Sequence, residues 1–217
     1  MYKLLMKEMK LAASPLTYFF IAFSLMAFIP GYPILVSAFF VSFGIFHTFQ
    51  ASRENNDTIY SVLLPISKKD IVSSKFILTV SVELIAFVLT LIITAVRMTV
   101  LSEAAPYANN AMMNANLYYA GYCLIVYALF NSVFFRGFYK TGYYFGKPFI
   151  TFIVFSFVFI GITEAVHHFP GLGFLNTSGT ERLGTQFAFL AVCAVIFAVV
   201  SALSLKKSQE SFERIDL

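Results

Sequence analysis

Three ionisable residues, Glu83, Arg97 and Glu164, lie inside stretches of sequence that are otherwise almost wholly apolar. A charge in hydrocarbon costs a few kcal/mol unless it is paired or hydrated, so each is a candidate functional group. Glu83 falls about 10 Å inward from Phe76 at helical rise. Arg97 and Glu164 fall near the outer ends of their stretches and can form an ion pair, a structural role as plausible as substrate contact. His167 and His168 are adjacent at the edge of an apolar run, with only Glu164 near them in sequence, too few ligands for a metal site. His47 reads as a packing or interface histidine. The chain carries no G-x-x-x-x-G-K-[ST], H-E-x-x-H or G-x-S-x-G pattern, so no catalytic residue and no metal ligand is assigned.

The elements that carry these residues are apolar to an extent that excludes a water-soluble domain. Of 217 residues, 59% are hydrophobic and 12% charged, with 27 Phe and 12 Tyr. A globule of this size has too little interior to hide that surface. Mean hydropathy is +0.80. The net charge of +4 does not indicate nucleic acid, because no basic run interleaves with aromatics in a polar stretch. Cys123 and Cys193 both lie in apolar runs and imply no disulfide framework.

A helical span needs about 20 apolar residues, fewer where the bilayer thins. Six runs qualify: Pro15–Ile29, Ile34–Gln50, Phe76–Val100, Leu117–Phe135, Phe149–Val166 and Leu183–Leu205. They are continuous rather than alternating, which excludes a β-barrel. The first two are short and share a tight turn, and the first can borrow length from the helix before it. It has no A-x-A-like cleavage site, so it reads as a span that stays rather than a signal peptide. All but two of the 15 basic residues, Arg97 and Arg182, fall on one side of this arrangement. By the positive-inside rule both termini are cytoplasmic.

Two cytoplasmic segments have helical patterns of their own. Lys3, Lys7 and Lys10 recur on one face of the N-terminal segment, with Leu5, Met9 and Ala12 on another, a pattern suited to the headgroup layer. In the loop from Ala51 to Lys75, Asn55, Asn56 or Asp57 can cap a short helix carrying Ile59, Val62 and Leu63, which Pro65 ends. Ser67-Lys-Lys-Asp70 then resembles a capping box for the next helix. The exposed apolar stripe needs either lipid headgroups or a partner protein to cover it, and spacing alone leaves both open.

The stretch Glu54-Asn-Asn-Asp-Thr, followed by Leu63-Leu-Pro-Ile-Ser-Lys-Lys-Asp-Ile-Val-Ser-Ser-Lys-Phe76, resembles the loop after the second span of ABC-2 type permeases. These are membrane subunits of bacterial ABC exporters, and this chain is similar in size and plan to small peptide or toxin exporters of that kind. Phe138-Tyr-Lys-Thr-Gly-Tyr-Tyr-Phe-Gly-Lys-Pro148 resembles the loop before their fifth span. Many members carry glycine near Asn56 and Asp57, and this chain does not. The resemblance implies a coupling helix at Asp57–Leu64 that docks into a separate ATPase. Its contacts would be Asp57, Ile59, Tyr60, Val62, Leu63 and Leu64, with Arg53, Glu54, Lys68 and Lys69 as a polar rim. Arg136, Tyr139, Lys140 and Lys147 would form a secondary ATPase contact. It also implies two copies of the ATPase, which would bind ATP and Mg, and a second permease subunit, identical or homologous.

The expected fold class is therefore an all-α integral membrane protein with six transmembrane helices, both termini cytoplasmic and an N-terminal interfacial amphipathic helix. Its segments are 1–14, the interfacial helix; 15–205, the six-span domain with cytoplasmic loops 51–75 and 136–148; and 206–217, a cytoplasmic tail. The expected function is a non-catalytic permease subunit, multi-pass in the bacterial cytoplasmic membrane. It would couple ATP hydrolysis elsewhere to export of an amphipathic or hydrophobic substrate such as a peptide, with no cofactor of its own. The alternatives are a gradient-driven secondary transporter or channel working without an ATPase, and an intramembrane enzyme.

Overall fold

The computed structural model describes residues 2–108, 110–142 and 144–215. Met1, Asn109, Tyr143, Asp216 and Leu217 lie outside the described residues, and with them the extreme ends of the expected 1–14 and 206–217 segments. Every regular element among the described residues is helical. In order they are α1 (Tyr2–Lys7, continued by a π-helical turn, Glu8–Ala12), α2 (Pro15–Ile21, continued by a 3-10 stretch, Ala22–Phe28) and α3 (Val36–Glu54). Next come α4 (Asp57–Val62), α5 (Lys68–Thr99), α6 (Ala105–Ala108) and α7 (Leu117–Leu129). A π-helical segment, Phe130–Phe135, joins α7 to α8 (Arg136–Thr141); α9 (Gly146–Val166), a 3-10 turn (Gly173–Asn176) and α10 (Leu183–Glu213) complete the chain.

Helix therefore fills all six apolar runs, but the runs are not equivalent. Four helices are long and apolar enough to cross a membrane: Lys68–Thr99, Leu117–Thr141, Gly146–Val166 and Leu183–Glu213. Their outer faces are bare hydrocarbon, as on α9 with Ile150, Val154, Val158 and Ile162 and on α10 with Phe187, Val192, Val195 and Val199. The N-terminal region is different. Its two helical pieces, Lys3–Lys10 and Pro15–Phe28, meet at 85°, so the first run borrows no collinear length from the helix before it. The bend has local causes: Pro15 occupies the first turn of α2, and the Ser14 hydroxyl caps it by accepting from the Leu16 N–H at 3.3 Å.

The caps at other helix starts are equally specific. Ser67 accepts from the Asp70 N–H at 3.1 Å, the cap its sequence suggested, and its hydroxyl rather than its backbone N–H donates to the Asp70 carboxylate, at 2.7 Å. Asn116 caps α7 by accepting from the Tyr119 N–H at 2.9 Å. The start of α4 departs from expectation, because Asn56 stands at the cap position with no side-chain cap bond. It turns the chain instead through a left-handed backbone, φ +52°, which asparagine tolerates better than most residues. The helix is also shorter than the stripe implied, ending at Val62, with Leu63 already past it.

The core is built around α3, most of whose residues are buried. Phe46 stacks on Phe149 of α9 with ring centroids 3.8 Å apart, and Phe49 meets Phe134 and Phe138 edge-on at 5.1 and 5.0 Å. Offset and edge-on pairs add about 0.5–1.5 kcal/mol each beyond simple burial, and they define one packing arrangement where lipid offers no hydrophobic drive. On its other side α3 meets α2 at Gly44. Thr17 donates to the Gly44 carbonyl at 2.7 Å, and its hydroxyl also meets that of Thr48 at 2.7 Å. The segment expected as a tail is largely not one: α10 runs on to Glu213, burying Ser208 and Phe212 completely.

The α2–α3 crossing gives a sharp test. A Cβ on Gly44 would lie 2.5 Å from the Phe20 Cβ, whereas one on Gly161 of α9 meets nothing within 4 Å. Gly44→Ala is expected to destabilise the detergent-solubilised protein by about 1–3 kcal/mol, read as a lowered thermal midpoint. Gly161→Ala should leave the midpoint unchanged or raise it slightly.

Candidate functional site

At one end of the bundle four charges close on one another beneath α4. The Lys75 ammonium lies 2.9 Å from Glu8 and 3.3 Å from Asp57, and donates to the Ser52 hydroxyl at 2.9 Å. Ser52 in turn donates to Asp57 at 3.0 Å. Lys7 completes the ring, 2.6 Å from Asp57 and 3.0 Å from Glu8, and donates to Ser61 at 2.7 Å. Lys75 and Glu8 are only 3% and 1% exposed, Asp57 16% and Lys7 22%. Two positive and two negative charges cancel, so this burial leaves no net charge stranded. The group ties α1 and its π-turn, the end of α3, the first turn of α4 and the third turn of α5 into one unit.

The two outermost members respond to each other. Burial alone would raise the Asp57 carboxyl, but the charge of Lys75 and the hydrogen bond from Lys7 outweigh it and hold it below the ordinary carboxylate range. Burial alone would lower the Lys7 ammonium, yet the bond to Asp57 and the charge of Glu8 raise it above its usual value. Asp57 therefore contributes stability that is present above its unfolded pKa and is lost as pH falls through its depressed folded pKa. Lys7 contributes stability that is present below its unfolded pKa and is lost as pH rises through its raised folded pKa.

On top of this base α4 turns its apolar residues outward. Leu63 is 77% exposed and Tyr60 65%, with Leu64 and Ile59 also exposed, while Val62 packs inward on the core. The expected polar rim is largely engaged within the chain. The Arg53 guanidinium lies 4.8 Å over the Phe145 ring, and Glu54 accepts from Gln50 at 3.0 Å. Lys68 donates to the Ile215 carbonyl at 2.6 Å and Lys69 pairs with Glu213 at 3.2 Å. Asp57 faces inward, so its work is to hold α4 in place. Of the expected secondary contact, Arg136, Lys140 and Lys147 are exposed. Tyr139 is 1% exposed, its ring set against Phe212 at 5.3 Å, which removes it from any outer surface.

The N-terminal helix also differs from its sequence pattern. Lys3 and Lys10 are exposed, but Lys7 turns toward the bundle, Glu8 is buried and Met9 is 45% exposed. Glu8, Lys75, Ser52 and Ser61 were not singled out by sequence. The one available signal was an acid placed among three lysines in a short helix.

The intramembrane charges are three separate sites. Glu83 on α5 is completely buried and accepts from Asn131 at 2.9 Å, in the π-helical segment, while Asn131 also donates to Ser201 of α10 at 3.1 Å. Its second oxygen and the Asn131 carbonyl oxygen have no hydrogen bond in this arrangement. Arg97 and Glu164 do not pair. Each instead finds a partner in the loop between α5 and α7, which leaves the second Glu164 oxygen without a hydrogen bond. Arg97 donates to the Ala27 carbonyl and to Asn114 at 3.3 Å, and stacks 3.6 Å over the Tyr107 ring. Glu164 accepts from the Met113 N–H at 3.0 Å. His167 meets the Ala111 carbonyl at 3.3 Å, and no group of three or more potential metal ligands occurs among the described residues. His47 sits against Phe43, ring centroids 4.6 Å apart.

The charge ring yields two checks. Lys75→Met leaves Glu8 without its buried counter-charge and should destabilise the fold by about 3–5 kcal/mol, while Glu8→Met/Lys75→Met together should recover most of that loss. In a pH series, the thermal midpoint of the native protein should decline as acid takes pH below about 4. Asp57→Asn should start lower at neutral pH and lose part of this acid-side decline.

The sequence model for "ABC-2 family transporter protein" matches residues 3–213. No curated protein and no solved structure matches the chain. The match takes in the charge ring, α4 and all four long helices, and on that extent this multi-pass membrane chain belongs to the ABC-2 transporter family.

Proposed function

We propose that this chain is the permease subunit of an ATP-driven exporter, and that α4 is the element through which a separate ATPase drives it. The observation that carries this reading is the combination of an exposed apolar cap with a rigid charged base. Leu63, Tyr60, Leu64 and Ile59 offer a small convex surface, and the ring of Lys7, Glu8, Asp57 and Lys75 anchors it. An apolar cap of that kind suits a groove in a partner protein. A base that joins four elements suits transmission of a push as a rigid-body movement.

In this reading two permease chains pair in the membrane above two ATPase copies, which bind ATP and Mg. The α2–α3 hairpin contributes two further crossings, giving six, with both termini on the ATPase side as the basic residues indicate. The cargo is amphipathic or hydrophobic, a peptide being the best match to outer faces and interior surfaces rich in Phe and aliphatic residues. The membrane is the bacterial cytoplasmic membrane.

The test is to purify the chain gently from its native membrane, identify the ATPase that accompanies it, and measure permease-stimulated ATP hydrolysis. Leu63→Asp and Ile59→Asp should each reduce the stimulation on the order of tenfold, the equivalent of about 1.4 kcal/mol, while the protein stays inserted and folded. Full stimulation in both variants would refute the coupling role of α4.

A gradient-driven transporter is favoured by one feature, the buried Glu83 with its unpartnered oxygen. The two readings diverge at Glu83→Gln, which keeps the shape and the bond from Asn131. Transport by an ATP-driven permease should survive this change, whereas transport that follows a proton gradient should be lost.

A further inference from the structure

At the end of the bundle that carries α4, α8 and the first turn of α9 enclose an open cleft of about 590 Å³. The two elements approach where Gly137 faces Pro148, so closely that a Cβ on the glycine would lie 2.7 Å from the Pro148 Cβ. Lys140 lines the cleft from α8 and Lys147 from α9, and no Asp or Glu lines it. Both lysines are exposed, and neither ammonium has an ion pair or hydrogen bond among the described residues. Lys7, Lys68, Lys69 and Lys75, by contrast, all use theirs within the chain. The cleft's two threonine hydroxyls are committed to the backbone: Thr141 accepts from the Tyr144 N–H at 3.2 Å, and Thr151 donates to the Lys147 carbonyl at 2.9 Å. The charge available to an occupant therefore comes from two unspent ammoniums.

The same cleft is continuous with hydrocarbon. Counting along α9 from Lys147, the positions three, seven and eleven residues on are Ile150, Val154 and Val158, which share its face. They are exposed by 63%, 55% and 55%. A side chain such as Lys147 at the end of a span normally places its charge at headgroup level. An occupant of this cleft thus meets two positive charges at one end and a bare apolar stripe at the other.

We propose that the cleft binds the headgroup of an anionic phospholipid, with Lys140 and Lys147 contacting the phosphate and an acyl chain lying along Ile150, Val154 and Val158. Two ammoniums in a cleft that no acid lines favour a headgroup of net negative charge over a zwitterionic one whose choline they repel, so the site distinguishes lipids by charge. A secondary ATPase contact fits less well, because the cleft is concave and opens onto the lipid-facing stripe, unlike the convex cap of α4. The proposal stands independently of the ATPase reading.

Native mass spectrometry of the detergent-purified protein tests it, with phosphatidylglycerol, phosphatidylcholine and glycerol 3-phosphate as the probes. The wild type should retain phosphatidylglycerol on the order of tenfold more strongly than phosphatidylcholine, given the attraction of each lysine for an anionic surface. Lys140→Gln/Lys147→Gln should abolish that preference and Lys140→Arg/Lys147→Arg should keep it. Lys3→Gln/Lys206→Gln, which removes the same charge elsewhere at this end, should leave it intact. Three results would overturn the proposal. One is equal loss in both glutamine pairs, which would mean diffuse charge attraction. Another is glycerol 3-phosphate competing as well as the lipid, which would mean a free-phosphate site. The third is unchanged lipid preference in Lys140→Gln/Lys147→Gln with loss of a co-purifying ATPase, which would make the cleft a protein contact.

Discussion

The buried ion pair between Lys75 and Glu8 is the constraint around which the α4-bearing end of this chain is organised. Neither residue has water to fall back on, with exposures of 3% and 1%. Their separation is 2.9 Å, close in distance but off the hydrogen-bond direction for Glu8, so Coulomb attraction and the neighbouring charges of Lys7 and Asp57 do most of the holding. Buried pairs add little net stability over an apolar substitute, yet they punish any arrangement that separates them. That asymmetry is what a positioning device needs. The short helix α4, six residues long, is too short to be stable alone, and the ring supplies the specificity that its own sequence cannot.

Within the membrane the same problem of polar groups is solved differently. Arg97 donates to the Ala27 carbonyl and to Asn114, and Glu164 accepts from the Met113 N–H, rather than pairing with each other. Glu83 accepts from the neutral amide of Asn131, which also donates to Ser201, at the point where α5, the π-helical segment and α10 converge. A π-helical turn widens the backbone and frees the usual bonding pattern, and such turns occur often at functional sites. Here it brings Asn131 to face two helices at once. Aromatic pairs on α3 fix the packing between these polar points, since lipid gives helices no hydrophobic reason to associate.

Much of this was legible in the sequence because it depends on local patterns. Apolar runs marked the helices, Ser67 and Asp70 announced the start of α5, and the crowding of basic residues marked one end of the bundle. What was not legible depends on partners distant in sequence. Lys7 belongs to the lysine face by spacing, but its nearest acid in space, Asp57, sits fifty residues later. Lys75 falls on the helix that Ser67 starts, but its burial against Glu8 and Asp57 depends on partners remote in sequence. Tyr139 was an expected contact only through the resemblance of its loop to a family pattern, whereas the helical turn places it against Phe212. Arg97 and Glu164 have the right depth to pair, and only the path of the intervening loop decides otherwise. Asn56 marked the right turn for the wrong reason, by its left-handed backbone and not by a side-chain cap.

The C-terminal helix is tied to the same unit. Lys68 and Lys69, at the very start of α5, hold Ile215 and Glu213, and one turn further on Ser73 accepts from Gln209 at 2.8 Å. The first turns of α5 are thus clamped to the end of α10 on one side and to the charge ring on the other. Both helices are about thirty residues long, 32 and 31, so at helical rise each spans roughly 45 Å. A displacement imposed on α4 cannot be absorbed by a loose loop, because the segment after it is short and α5 begins at once with a locked cap. It must either break the ring, stranding charges of which two are almost wholly buried, or move α5 and α10 together. Since α10 also packs along α7 and meets Asn131 through Ser201, motion of that pair reaches the buried Glu83 site without crossing any flexible element.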